Sequence, residues 1–88
     1  MKVKDGFILK EVAGSYVIVP IGDNLVDFSA MITTNETGAF LWELLKTDKT
    51  VEELLKEILK EYDVDEETAQ ADILEFTKIL NENKVLVG

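Results

Sequence analysis

At the point where its sequence pattern changes from strand to helix, the chain reads Thr33-Thr34-Asn35-Glu36-Thr37-Gly38-Ala39-Phe40-Leu41-Trp42-Glu43-Leu44-Leu45. Asn35 is predicted to cap a helix, and Glu36 follows it at the positive end of the helix dipole. Gly38 costs a helix roughly 1 kcal/mol relative to alanine, so we expect it to permit the close approach of another element. The predicted helix ends near Lys46 and places Trp42 in the core.

Upstream of this junction, apolar runs bounded by turn residues predict three strands, over residues 7–12, 16–20 and 26–32. Apolar side chains recur at every second position from Val26 to Ile32, the pattern of a sheet with one buried face. Pro20 lacks an amide hydrogen and therefore suits the end of a strand. The simplest arrangement of the three strands is an antiparallel meander.

Downstream of the junction, two further helices are predicted. Thr50 and Glu53 form a capping box before an amphipathic run. Asp65 or a neighbour caps a third helix that ends near Glu82, and its predicted buried stripe consists of Ala69, Ile73, Phe76 and Leu80. Leu74 and Ile79 lie toward opposite margins of this stripe, where either one could complete the core or line a groove.

The last apolar run, residues 84–87, is expected to form a short strand or a packed tail. The whole pattern predicts a single domain over residues 1–88 of the α+β class. Its expected architecture is winged-helix-like: an N-terminal three-stranded antiparallel sheet, three helices and a short C-terminal strand.

Composition excludes several kinds of chemistry. The chain contains no cysteine and no histidine, which removes thiolate chemistry, the usual neutral-pH base and the commonest transition-metal ligand. Its glycines are too scattered for a phosphate-binding loop. The acidic cluster over residues 61–67 fails the spacing of a calcium loop. We therefore expect no enzyme activity, no metal and no cofactor.

Charge and hydropathy limit the partners. A net charge of -9 repels nucleic acid and anionic membranes. No run approaches the ~20 apolar residues of a membrane span, and no signal-peptide pattern is present, so a cytoplasmic location is expected. The residues leave peptide binding by strand addition as the favoured function. The alternatives are a winged-helix regulatory module that binds DNA or a protein, and a structural subunit of a larger complex.

Taken in order along the chain, these motifs resemble those of a known family. The chain resembles the family of coenzyme PQQ synthesis protein D, PqqD, through the stretch from Asp27 to Trp42, the later Tyr62-Asp63-Val64-Asp65, and Asp72-Ile73 followed by Phe76. It departs from the family pattern at Ser29-Ala30, where Asn-Gly is expected, at Thr34 and Thr77, where apolar residues are expected, and near Asn83, where a glycine is expected.

The resemblance implies a function and a set of partners. Members of this family are similar to peptide chaperones, the RiPP recognition elements, which bind the leader of a ribosomally made precursor peptide and present it to a modifying enzyme. The implied partners are such a leader peptide and a radical SAM or other maturation enzyme. An exposed third strand could also pair with its copy in a second chain, giving a homodimer.

The resemblance also implies a binding site between the third strand and the third helix. The strand would make backbone contacts through Asp27, Phe28, Ser29, Ala30, Met31 and Ile32. The flanks of the helix would make side-chain contacts through Asp72, Leu74, Glu75, Lys78 and Ile79. For Asp72 two roles stay open, a hydrogen bond within the fold or an anchor for a basic residue of the leader.

Overall fold

The computed structural model describes residues 1–21 and 32–87. In chain order its elements are β1 (Lys2–Val3), β2 (Phe7–Val12), β3 (Ser15–Pro20), β4 (Ile32–Thr34), α1 (Glu36–Leu44), α2 (Val51–Glu61), α3 (Glu66–Glu82) and β5 (Leu86–Val87). This is the predicted α+β class with winged-helix-like order. Of the predicted third strand, residues 26–31 lie outside the described residues.

The main sheet is an antiparallel meander in the order β2-β3-β4, as predicted. β2 and β3 are joined by Ala13 and Gly14, which both have positive φ angles of 52° and 82°. A two-residue turn of this kind matches the right-handed twist of the strands it joins. β4 continues past the predicted end at Ile32 to Thr34 and pairs with β3.

A second, two-stranded sheet joins the two ends of the described chain. β1 pairs antiparallel with β5, so the residues near the C-terminus form a strand rather than a packed tail. β1 itself was not predicted, because two residues are too short to show an alternating pattern. The Val3 amide donates to the Leu45 carbonyl at 2.9 Å. The strand thus occupies a carbonyl at the end of α1, and the helix ends at Leu44 rather than near Lys46.

All three predicted helix starts are confirmed by their caps. Asn35 accepts from the Gly38 amide, Thr50 forms a capping box with Glu53, and Asp65 accepts from the Thr68 amide. These bonds satisfy amides that have no partner within their own helix.

The core lies where the three helices meet β3, β4 and β1. Trp42 is 2% exposed, which confirms its predicted place. The predicted α3 stripe is buried. Among the residues that the structure describes, the buried apolar residues are Val3, Ile18, Ile32, Leu41, Trp42, Leu45, Leu54, Ile58, Ala69, Ile73, Phe76, Leu80 and Val85. Among residues 1–21 and 32–87, no helix is long and apolar enough to cross a membrane.

Candidate functional site

An open groove runs between the β4–α1 junction and α3. Its volume is about 290 Å³, near the lower end of ligand-binding clefts, which suits a few side chains better than a large cofactor. The residues that line it are Thr33, Thr34, Asn35, Thr37, Gly38, Leu41, Asp72, Glu75, Phe76 and Ile79.

The first wall is a tight junction between strand and helix. The Gly38 amide donates to Asn35 Oδ1 at 2.9 Å, and the Ala39 amide donates to the Asn35 carbonyl at 2.9 Å. A Cβ on Gly38 would overlap the side chain of Thr34. The close approach expected of Gly38 is therefore present, and it fixes the direction in which α1 leaves β4.

The second wall is one stripe of α3. Asp72, Glu75, Phe76 and Ile79 recur at the three- and four-residue spacings that place side chains on a single helix face. Phe76 belongs to the core, whereas Ile79 is half-buried and packs against the core edge. With Leu41 from α1, these two side chains give the groove an apolar floor between polar rims.

The structure separates the predicted helix residues into two groups. Asp72, Glu75 and Ile79 line the groove together. Leu74 and Lys78 line a different cavity of about 400 Å³ on the opposite flank of α3, beside Leu86. Leu74 is 52% exposed there, so it neither completes the core nor reaches the groove.

The predicted strand residues are placed less fully. The Ile32 side chain is 6% exposed and faces the core, and the predicted role of this residue, a backbone contact with the peptide, stays a prediction. Asp27, Phe28, Ser29, Ala30 and Met31 lie outside the described residues. Sequence reasoning did not assign the groove's polar strand-side residues, Thr33, Thr34, Asn35 and Thr37, to the site. The signal that could have found them was Gly38, since a helix that must approach a strand closely also brings that strand's last residues to the helix start.

Charge is distributed unevenly over α3. Asp72 and Glu75 are both exposed. Neither side-chain carboxylate forms an ion pair or a hydrogen bond with another of the described residues. The first of the two roles left open for Asp72, a hydrogen bond to a nearby backbone or hydroxyl group, is thus not formed with any of the described residues. On the other flank, Lys78 Nζ lies 4.0 Å from Glu82 Oε1. The groove flank therefore carries uncompensated negative charge.

Asp65 and Tyr62, which both lie outside the groove, have shifted pKa values. Hydrogen bonds from Thr68 lower the pKa of the Asp65 carboxyl, and burial followed by the nearby Glu36 and Glu61 raises the pKa of Tyr62. Within residues 1–21 and 32–87, no cluster of acidic side chains is arranged to hold a metal ion. Neither group faces the groove, so both belong to the fold rather than to this site.

The fold and the groove together define a small winged-helix-like α+β protein whose cleft lies between an edge strand and a helix. The family model described as coenzyme PQQ synthesis protein D (PqqD) matches residues 15–86. The chain therefore belongs to the PqqD family. A search of curated proteins found no match.

Two solved structures resemble the chain over nearly its whole length. One is described as TbiB1 in complex with the TbiA(beta) leader peptide; it is 25% identical, with a TM-score of 0.73 over 100% of this chain and 96% of that one. The other is described as lasso peptide synthetase B1 complexed with the leader peptide, with 17% identity and a TM-score of 0.71 over 99% and 96% of the two chains. The second likeness concerns the fold alone.

Proposed function

We propose that this chain binds the leader of a ribosomally made precursor peptide in the groove between β4 and α3, and that it presents the peptide to a separate modifying enzyme. One observation carries the proposal: the groove joins β4, the edge strand of the described sheet, to a helix stripe that includes apolar side chains, the two parts that strand addition requires. Membership of the PqqD family supports it, as does the full-length likeness to TbiB1, whose structure holds a leader peptide.

The chain's own part in this function is recognition. An added strand gains main-chain hydrogen bonds from the sheet edge, while the pockets beside it select alternate side chains. Ile79, and to a smaller extent Phe76, offer such an apolar surface beside β4. No catalytic step is assigned to the chain, and the chemistry belongs to the partner enzyme, which we propose to be a radical SAM or other maturation enzyme. A cytoplasmic location remains part of this proposal.

The regulatory alternative has weaker support. A winged-helix protein that binds DNA needs cations toward the phosphates, yet the net charge is -9 and Lys78 is the single basic residue of α3.

A homodimer formed through the β4 edge would occupy the same groove. Sedimentation of the protein over a range of concentrations distinguishes this arrangement, because pairing through the edge would compete with the peptide.

The deciding experiment is a ¹⁵N NMR titration of the folded monomer with each short peptide encoded beside its gene. We expect one peptide to cause saturable shifts in the amides of Thr33 to Gly38 and of Asp72 to Ile79. The TbiA(beta) leader serves as a comparison peptide from a different system. If every neighbouring peptide leaves these amides unmoved, or moves only those near Leu86, the proposed function is wrong.

A further inference from the structure

Charge of only one sign lines the described part of the groove. Of the ten described residues that line it, two are ionisable, Asp72 and Glu75, and both are acidic. The strand-side rim is uncharged, with hydroxyl and amide groups from Thr33, Asn35 and Thr37. A cleft lined by one sign of charge beside apolar walls concentrates the field of those charges at its mouth. The occupant of this groove is therefore selected by charge as well as by shape.

The negative charge of the groove flank is not neutralised by the described parts of the fold. Lys78 is the one cation of α3, and it lies on the opposite flank near Glu82. The remaining ion pairs of the described residues join other groups: the terminal amine with Asp48, Lys46 with Glu43, and Lys60 with Glu57. Asp72 and Glu75 are thus available to a cation supplied by a partner.

For a peptide that runs along the α3 axis, the order of side chains along the stripe sets the spacing that the peptide would need. The midpoint of the acidic pair, Asp72 and Glu75, lies four residues before the midpoint of the apolar pair, Phe76 and Ile79. This separation is about 6 Å along the helix axis, at roughly 1.5 Å per residue. An extended chain covers this distance in about two residues, at roughly 3.3 Å each. Two residues is also the spacing at which side chains of a strand return to the same face.

We infer that the peptide bound in this groove carries a lysine or arginine two residues away from a large apolar residue. The cation faces Asp72 and Glu75, and the apolar side chain packs on Phe76 and Ile79. This inference rests on the proposed function and specifies the chemistry of its ligand. Because both carboxylates are exposed, each is expected to change affinity by a modest factor, about two- to five-fold.

Selection from a random peptide library tests the inference and does not require the natural leader. Random 12-residue peptides are displayed on their encoding mRNA and selected against the wild-type chain and against the double variant Asp72→Asn, Glu75→Gln. A matched control, Glu66→Gln with Glu67→Gln, makes the same change in net charge on the same helix, at residues outside the groove lining. Circular dichroism checks that each variant is folded.

We expect wild-type selections to be enriched in lysine or arginine two positions from a large apolar residue. The enrichment should persist in the control and disappear in the groove variant. Replacing the selected cation by glutamine should weaken binding to the wild-type chain by about four- to twenty-five-fold, since two carboxylates contribute. The same replacement should change binding to the groove variant less than two-fold.

The outcomes separate this inference from the function on which it rests. The inference would be overturned if the groove-binding peptides were not enriched in lysine or arginine. It would also be overturned if that enrichment persisted with the groove variant. Either result would leave peptide binding itself intact. Failure to recover any peptide that competes for the groove would reject the proposed function, and the inference with it.

Discussion

Gly38 lies against Thr34 so closely that a Cβ atom on Gly38 would overlap the threonine hydroxyl and stand 2.9 Å from its Cβ. The contact joins the last residue of β4 to the first turn of α1. Because the threonine Cβ is also involved, rotation of the side chain cannot relieve the overlap. The position of α1 relative to the sheet, and with it one wall of the groove, depends on the absence of a side chain at residue 38.

Gly38→Ala is therefore expected to destabilise the protein, although alanine is the better helix former. Overpacking of this kind typically costs about 1–3 kcal/mol, against a gain of roughly 1 kcal/mol in helix propensity. We expect a net loss of about 1 kcal/mol, and at most about 2 kcal/mol, in the free energy of unfolding, measured by urea denaturation.

Thr34→Ala provides the control for this prediction. It removes the hydroxyl and methyl groups that the new Cβ would meet, so Gly38→Ala should be less harmful in that background. A double-mutant cycle measures the difference. If the two changes in the free energy of unfolding were strictly additive, contact between residues 34 and 38 would not be the cause of the destabilisation.

Ile79 and Leu74 offer a matched pair on opposite flanks of α3. If the groove binds the leader, Ile79→Ala should raise the Kd of a groove-binding peptide about five-fold or more, because it removes a central apolar contact. Leu74→Ala, which removes a side chain 52% exposed on the other flank, should change the Kd less than two-fold. Isothermal titration calorimetry gives both values. Equal effects, or a larger one at Leu74, would move the binding site to the other cavity.

Lys84, which lies two residues beyond the last residue of α3, has a backbone conformation that favours glycine. Its φ is 59°, and the amides of Lys84 and Val85 donate to the carbonyls of Asn81 and Leu80, which together form a Schellman motif. A residue with a side chain loses roughly 1–2 kcal/mol of stability in this backbone conformation. Glycine avoids that cost, but the greater freedom of the unfolded chain at a glycine cancels part of the gain. Lys84→Gly should thus raise the free energy of unfolding by about 0.5–1 kcal/mol.

Lys84→Ala separates backbone conformation from charge in that prediction. It removes the ammonium group but keeps a Cβ, so its stability should stay close to that of the wild-type protein. The same thermal or urea unfolding experiment measures both variants. A stabilisation shared by the two would attribute the effect to charge and contradict the backbone explanation.

Asp65 predicts a specific dependence of stability on pH. Hydrogen bonds from the Thr68 side chain and amide lower the pKa of its carboxyl below the ordinary value of 3.8. A carboxyl whose pKa is lower in the folded state stabilises the fold above its unfolded pKa, and this contribution is lost as the pH falls through the folded value. Asp65→Asn keeps an acceptor for the cap but does not titrate.

The stability advantage of the wild-type protein over Asp65→Asn should therefore shrink as the pH falls from about 6 to about 2.5, because the wild-type carboxyl becomes protonated. Urea denaturation at several pH values measures it. A difference that stays constant over this range would show that ionisation of Asp65 does not contribute to the cap.

The sequence alone determined the features that depend on near neighbours in the chain. The caps at Asn35, Thr50 and Asp65 and the buried stripe of α3 follow from bonds and periodicities within a few residues, and all were predicted. The β2–β3 hairpin was predictable for the same reason, since the two-residue turn Ala13-Gly14 joins its strands, whereas residues 21–31 separate β3 from β4. β1 and the exact end of α1 were not, because the Val3–Leu45 bond joins segments far apart in the chain.

Only the tertiary structure decided which flank of α3 lines the groove. Both flanks carry an apolar residue and a charged one at helical spacing, Ile79 with Asp72 and Glu75 on one, Leu74 with Lys78 on the other. Periodicity fixes the angle between the flanks, but it does not say which element packs beside each. That choice follows from the approach of α1 to β4 at Gly38 and from the pairing of β1 with β5, which place the strand junction beside Ile79 and Leu86 beside Leu74.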